Sequence, residues 1–263
     1  MKSVKIITLG MLIALFIGCN KDEKDSDTVR MVRKIEYYQD SDGVATTTVE
    51  QSIEYRYDAQ NRIAEVIVTA RNSIKGNVFY NYPAENVMIA SVTEPPYGSI
   101  TYALNNDGSL ISMSEGDQLK QIWTYANGYL QKTETYSVFG SIPVTNTETY
   151  TWENGNVKTS LLELLFSSDP PSKYSLNFTY EYGSLRNKPS SIDFGRYYVG
   201  VPRGWYGKSV QNILSKTTLK REDGSQDVTS YRYETDKKGF PLKIFMQEGG
   251  NSEALRVTIE YAN

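Results

Sequence analysis

The residue types that carry most protein chemistry are scarce in this chain. Its 263 residues include no histidine and a single cysteine, Cys19. Without an imidazole there is no Ser-His-Asp or Cys-His relay, and the commonest general base and zinc ligand are both missing. No loop shows the glycine spacing and strand–loop–helix setting that cradles a phosphate, and no calcium-loop pattern is present. No cofactor and no metal site is therefore expected. Paired carboxylates remain, since two acids at a set separation suffice to hydrolyse a glycosidic bond. The candidates are Glu36, Asp40, Glu134, Glu148, Glu153, Glu181 and Asp193. Most stand at the polar phase of an alternating strand, where a charge is usually solvated. Asp193, between Ile192 and Phe194, is suited to orienting the following loop through backbone hydrogen bonds. A carboxylate-only hydrolase is thus the trailing reading, and the chain is read as non-enzymatic.

A second group could bind rather than react. Tyr197, Tyr198, Trp205 and Tyr206 lie among Gly195, Gly200, Pro202, Gly204 and Gly207, where no strand period accounts for them. Beside Arg196 and Arg203, such rings are able to stack on a sugar or clasp a peptide, and loops carry function more often than framework does. The alternative is a loop that folds back over an open end of the sheet.

The beginning of the chain has its own chemistry. Lys2 and Lys5 precede an almost unbroken apolar run, Ile6 to Ile17, which Gly18-Cys19 closes. The run is too short for a spanning helix, which needs roughly 20 residues. It has the length of a signal-peptide core. Leu15-Phe16-Ile17-Gly18-Cys19 resembles a lipobox, with Phe16 where leucine is usual. The resemblance implies cleavage after residue 18 and acylation of Cys19, the one job left to a lone cysteine. Asn20 to Asp27 then reads as a charged tether. Lys21-Asp22-Glu23 is similar to the acidic export signal of Bacteroidetes surface lipoproteins, and Asp27-Thr28-Val29 to a short O-glycosylation motif of that phylum. These imply an outer-membrane lipoprotein displayed at the cell surface, with a periplasm-facing one as the alternative.

Charge narrows the partners. Removing Lys2 and Lys5 with the leader leaves 26 basic residues against 31 acidic ones, a formal charge of −5. Nucleic-acid binders concentrate positive charge, so nucleic acid is excluded. The expected partners are the membrane, through the lipid, and a glycan or an envelope protein.

The elements that must position any site are strands. From Thr48 to Tyr57 the odd positions are apolar or aromatic except Gln51, and most of the even ones are polar. Period two gives one wet and one covered face, as in antiparallel sheets. Turn signals such as Asn127-Gly128, Asn154-Gly155 and Glu222-Asp223-Gly224 separate the runs, and they supply the positive φ that hairpins require. Helix candidates are confined to Ser160–Phe166 and Lys208–Leu214, a turn or two each.

An internal repeat organises the body. An aromatic-x-aromatic strand end, a turn and a new strand recur from Tyr55, Tyr80, Ile100, Trp123, Tyr150, Phe178 and Tyr231. The steps are 20 to 28 residues, with a last one of 53. The pattern resembles YD-type repeats. With Ser191 to Phe194, Trp205 to Ser209, Tyr231-Arg232-Tyr233 and Gly239 to Ile244, the mature chain resembles a family of Tyr-rich Bacteroidetes lipoproteins whose domain has no assigned function. The resemblance supplies a fold and an address but no chemistry.

The organisation expected is a signal peptide (1–18), a lipidated Cys19 with an acidic tether (19–29), and one β-rich domain (30–263) with a non-repeat insertion near 193–213. The fold expected is all-β: consecutive antiparallel hairpins in a strongly curved or two-layer sheet, with at most two short helices. The leading function is a lipid-anchored, non-enzymatic binding module, with a structural or accessory envelope subunit as the alternative.

Overall fold

The computed structural model describes residues 29–41, 44–70, 73–92, 98–139, 141–194 and 201–262. Cys19, Tyr197 and Tyr198 lie outside them. Period-two alternation becomes strand almost throughout. In order these are β1 (Val32–Ser41), β2 (Val44–Tyr57), β3 (Ile63–Ala70), β4 (Ser73–Ala84), β5 (Val87–Val92) and β6 (Ile100–Leu104). Then come β7 (Leu110–Glu115), β8 (Gln118–Ala126), β9 (Tyr129–Phe139), β10 (Ile142–Glu153), β11 (Asn156–Phe166) and β12 (Ser172–Arg186). The short β13 (Ile192–Asp193) and β14 (Val201–Pro202) precede β15 (Asn212–Arg221), β16 (Gln226–Thr235), β17 (Pro241–Glu248) and β18 (Ala254–Tyr261).

All but β13 and β14 form one closed up-and-down barrel, with β18 returning to β1. Ile35 pairs with Ile259 and Tyr37 with Val257 across that seam. The fold is therefore all-β and built of antiparallel hairpins, as the alternation implies, but the sheet is a closed barrel rather than a curved or two-layer one. Closure removes both free edges, which an open sheet must otherwise protect.

The two faces of the wall differ. Tyr55, Tyr80, Tyr231, Tyr233, Met88, Trp123 and Tyr150 point inward and pack in two clusters. Alternate positions carry cross-strand and same-strand ion pairs on the outside: Lys34–Glu36, Arg56–Glu65, Lys132–Glu134, Lys216–Glu181 and Lys243–Glu234.

The aromatic repeat has a polar reason as well as an apolar one. At five hairpins the last aromatic of the even strand reaches back to a carbonyl at the start of the preceding odd strand. Tyr57 Oη donates to Val32 O at 2.6 Å, Tyr82 Oη to Ile63 O at 3.0 Å and Tyr125 Oη to Leu110 O at 2.8 Å. Trp152 Nε1 donates to Leu130 O at 2.7 Å, and Tyr261 Oη to Pro241 O at 3.1 Å. A buried ring with a polar tip must find such an acceptor, and the repeat places one within reach each time. All these latches lie at the end of the barrel where even strands finish.

Both helix expectations are overturned. Ser160–Phe166 lies within β11 and pairs residue by residue with β10 and β12, from Phe166↔Val144 to Ser160↔Phe178. Leu162, Leu164 and Phe166 share one face and Leu161, Glu163 and Leu165 the other. A segment this short gains little from leucine's helix preference, and two neighbouring strands override it. Lys208 to Gln211 is irregular, and Asn212 already opens β15. No helix occurs among the described residues.

Candidate functional site

Sixteen strands enclose more space than wall side chains can fill, and barrels of this size otherwise hold an aqueous channel. Here the connection between β12 and β15, in its described residues 187–194 and 201–211, enters one end and fills it. It is anchored to successive hairpin turns by backbone hydrogen bonds. Leu110 N donates to Trp205 O at 2.8 Å, Lys208 N to Gly128 O at 2.7 Å and Gln211 N to Gly155 O at 3.1 Å. The N-terminal strand is tied in too: Arg30 N donates to Pro189 O at 3.1 Å and Ser191 N to Arg30 O at 2.8 Å. Ile192 and Phe194 are 0% and 2% exposed among Val32, Ile35, Ile63 and Ile244. Gly207 makes the close approach feasible. Its φ is +74°, and an added Cβ would lie 2.4 Å from Gly128 O.

The residues singled out from sequence divide accordingly. Trp205 and Tyr206 belong to this stopper: their ring centroids lie 5.6 Å from Tyr80 and 6.3 Å from Trp123, respectively. Arg203 holds the segment's own backbone, donating from Nε to Ser190 O at 2.7 Å and from Nη2 to Lys188 O at 3.0 Å. It also donates to Ser209 Oγ at 3.0 Å. Of the carboxylates, Glu36, Glu134, Glu153 and Glu181 are in ion pairs with lysines. Glu148 faces inward and accepts from Tyr150 Oη at 2.5 Å, while buried Asp193 accepts from Asn187 Nδ2 at 2.8 Å. Asp40 lies on β1, outside the residues whose side chains are described. No group of three or more acidic, Cys or His side chains suited to a metal occurs among the described residues.

Burial at the stoppered end shows in its phenols. Desolvation pushes Tyr57 and Tyr82 up to about 12, Tyr57 against the opposing hydrogen bond with Ser191. It also raises Tyr55, Tyr80, Tyr233 and Tyr261. These groups are neutral packing elements, not acids or bases.

The opposite end keeps a cavity of about 820 Å³ against β12, β15, β16 and β17. Its lining includes Phe178, Leu219, Tyr231 and Met246 together with Thr217, Thr229, Asp227 and Glu248. Asp227 is held below the ordinary aspartate range by its hydrogen bond from Arg221 and that residue's charge. None of these polar residues stands out from sequence, because a threonine or acid at one phase of a strand reads as a wet face. The available signal is the phase itself: Asp227 and Thr229 precede the inward Tyr231 by four and two positions.

No family model matches the chain, and no curated protein does. The fold is found among solved structures. A porin-like protein from Bacteroides uniformis ATCC 8492 superposes with a TM-score of 0.57 at 14% identity, over 88% of this chain and 98% of that one. Another porin-like protein, from Bacteroides vulgatus ATCC 8482, superposes with a TM-score of 0.52 at 10% identity, over 88% of this chain and 99% of that one. At such identity the likeness is one of fold.

Proposed function

We propose that the protein is a lipid-anchored, non-enzymatic binding module of the cell envelope, a barrel that stands on the membrane rather than in it. The outer wall carries this reading. A membrane barrel presents an apolar band about 25 Å tall between aromatic girdles. Here the outward phases of β15 and β16 read Lys216, Thr218, Lys220 and Val228, Ser230, Arg232, Glu234, with ion pairs linking them to their neighbours. Exposed apolar side chains such as Phe79, Val138 and Leu165 alternate with polar ones along their strands. The stopper argues equally against a pore, the activity that the porin-like character of the two similar structures suggests.

Orientation follows from the anchor. Arg30 enters at the stoppered end, and a fully extended tether from Cys19 reaches at most about 40 Å at roughly 3.3–3.6 Å per residue. That end faces the bilayer, and the cavity opens away from it, toward the surroundings if the lipoprotein is surface-displayed. Of glycan and envelope protein, a recessed cavity suits the smaller ligand.

The test is fractionation. The wild-type chain is expected to sediment with membranes and the Cys19→Ser chain to be released as a soluble, folded barrel, since acyl chains supply the whole attachment. A Cys19→Ser chain that folds but remains resistant to extraction would overturn the reading.

A further inference from the structure

We infer that the open-end cavity binds a neutral saccharide in a polar row flanked by apolar ones. This rests on the reading of the protein as a binding module and names its ligand class and its place. The register of the wall sets the rows. Tyr180 pairs with Thr217, Thr217 with Thr229 and Thr229 with Glu248. Three hydroxyl-bearing side chains and a carboxylate therefore stand abreast on four neighbouring strands, roughly 4.8 Å apart at the usual strand spacing. On the mouth side the next inward row begins Phe178–Leu219 and ends on Asp227. On the stopper side it is Tyr231–Met246.

A sugar ring has the matching distribution: apolar C–H faces and hydroxyl edges that both donate and accept. Phe178 and Tyr231 offer ring surface to the faces, while Thr217, Thr229 and Glu248 offer partners to the edges. The cavity, at about 820 Å³, falls within the range of small-molecule sites. Charge then selects among sugars. The lining contains two carboxylates and neither lysine nor arginine. The nearby Arg221 is already paired with Asp227. A uronate or sulfated sugar would meet the carboxylate of Glu248 and find no cation of the lining to pair with, and a neutral one would meet acceptors for its hydroxyls. A cationic ligand is less well served, because Asp227 is engaged and Glu248 is exposed to screening solvent.

The experiment is calorimetric titration of the chain from Asn20, which contains every strand of the closed barrel. The probes are malto-, cello-, manno- and chitotetraose, with tetragalacturonate as the anionic and spermidine as the cationic control. At least one neutral tetrasaccharide is expected to bind, at least tenfold more tightly than either control. Thr229→Arg, which fills the row, is expected to weaken it more than tenfold. Ser230→Arg, one residue on and on the outer wall, is expected to change it less than twofold. To separate misfolding from loss of the site, Glu248→Arg at the exposed rim is measured beside it, and it is expected to bring tetragalacturonate to within threefold of the neutral sugar. Binding of spermidine or tetragalacturonate alone, or of no probe, overturns the inference, as does neutral-sugar binding that a folded Thr229→Arg chain retains. A sugar bound in solution by a chain that Cys19→Ser does not release would instead keep this site and remove the anchoring reading.

Discussion

The two ends of the barrel are made from the same strands, and the same alternation runs through both, yet they end differently. At one end five hairpins close on an aromatic whose polar tip meets a carbonyl, and residues 187–194 and 201–211 fill the space between. At the other end the inward positions turn to Thr217, Thr229, Asp227 and Glu248, none of the described segments enters, and a cavity is left. Strand number fixes the barrel's width, so it cannot distinguish the ends; side-chain volume and one insertion do. A wide barrel thereby becomes a cup, packed at its base and hollow at its mouth.

The largest expected effect tests that division directly. Phe194, buried in the base, touches the strands that close the barrel. Phe194→Ala is expected to cost about 3–5 kcal/mol, the usual range for a buried phenylalanine. Leu219→Ala in the cavity wall is expected to cost about 1 kcal/mol, because only part of that side chain leaves water on folding. Urea unfolding of the two variants reads the difference from their midpoints. Equal losses would mean that the mouth is as tightly packed as the base.

Alkali gives a second, intermediate contrast. Tyr57 and Tyr82 rise from an ordinary 10.0 to about 12 through burial. A folded-state pKa above the unfolded one means that the folded state holds its proton more tightly. Their contribution is therefore complete below pH 10 and is lost as pH rises through about 12. Near-ultraviolet absorbance should show these phenols ionising together with loss of β-structure in that interval, in one cooperative step. Ionisation of the base tyrosines near pH 10 with the fold intact would show water already reaching them.

The contrast between the ends explains what sequence made legible. Hairpins, their turns and the repeat can be read because each depends on residues close in the chain: Asn127 and Asn154 adopt positive φ where Asn-Gly requires it. Closure cannot be read this way, since Ile35 meets Ile259 only after every intervening strand has paired. Ser160 to Phe166 misleads because its leucines serve both faces of a strand whose two neighbours decide its conformation. The glycine- and aromatic-rich insertion is conspicuous, but composition alone does not reveal whether Trp205 points out to a ligand or in toward Tyr80. Thr229 and Glu248 are invisible for the opposite reason: they look like ordinary wet-face residues until closure turns their face inward.

The smallest effect belongs to the outer wall, which the two ends share. Glu36 accepts from Lys34 Nζ at 2.7 Å, from Tyr38 Oη at 3.2 Å and from Thr258 Oγ1 at 3.3 Å. Hydrogen bonding and charge from Lys34 hold its carboxyl below the ordinary 4.5 despite partial desolvation, with help from Tyr38 and Thr258. Glu36→Gln is expected to cost only about 0.2–1 kcal/mol at neutral pH, as for other partly exposed pairs, and less in high salt. The sign of its pH dependence follows from the lowered pKa. The stabilisation is present above 4.5 and disappears as pH falls through the lower folded value, so wild-type and variant stabilities converge in acid. Urea midpoints measured from neutral pH down through that range check this. A larger penalty, unscreened by salt and persisting in acid, would mean that Glu36 is shielded from water. The outer wall would then be covered by a partner or a membrane after all, and the cup would have to be redrawn as an embedded barrel.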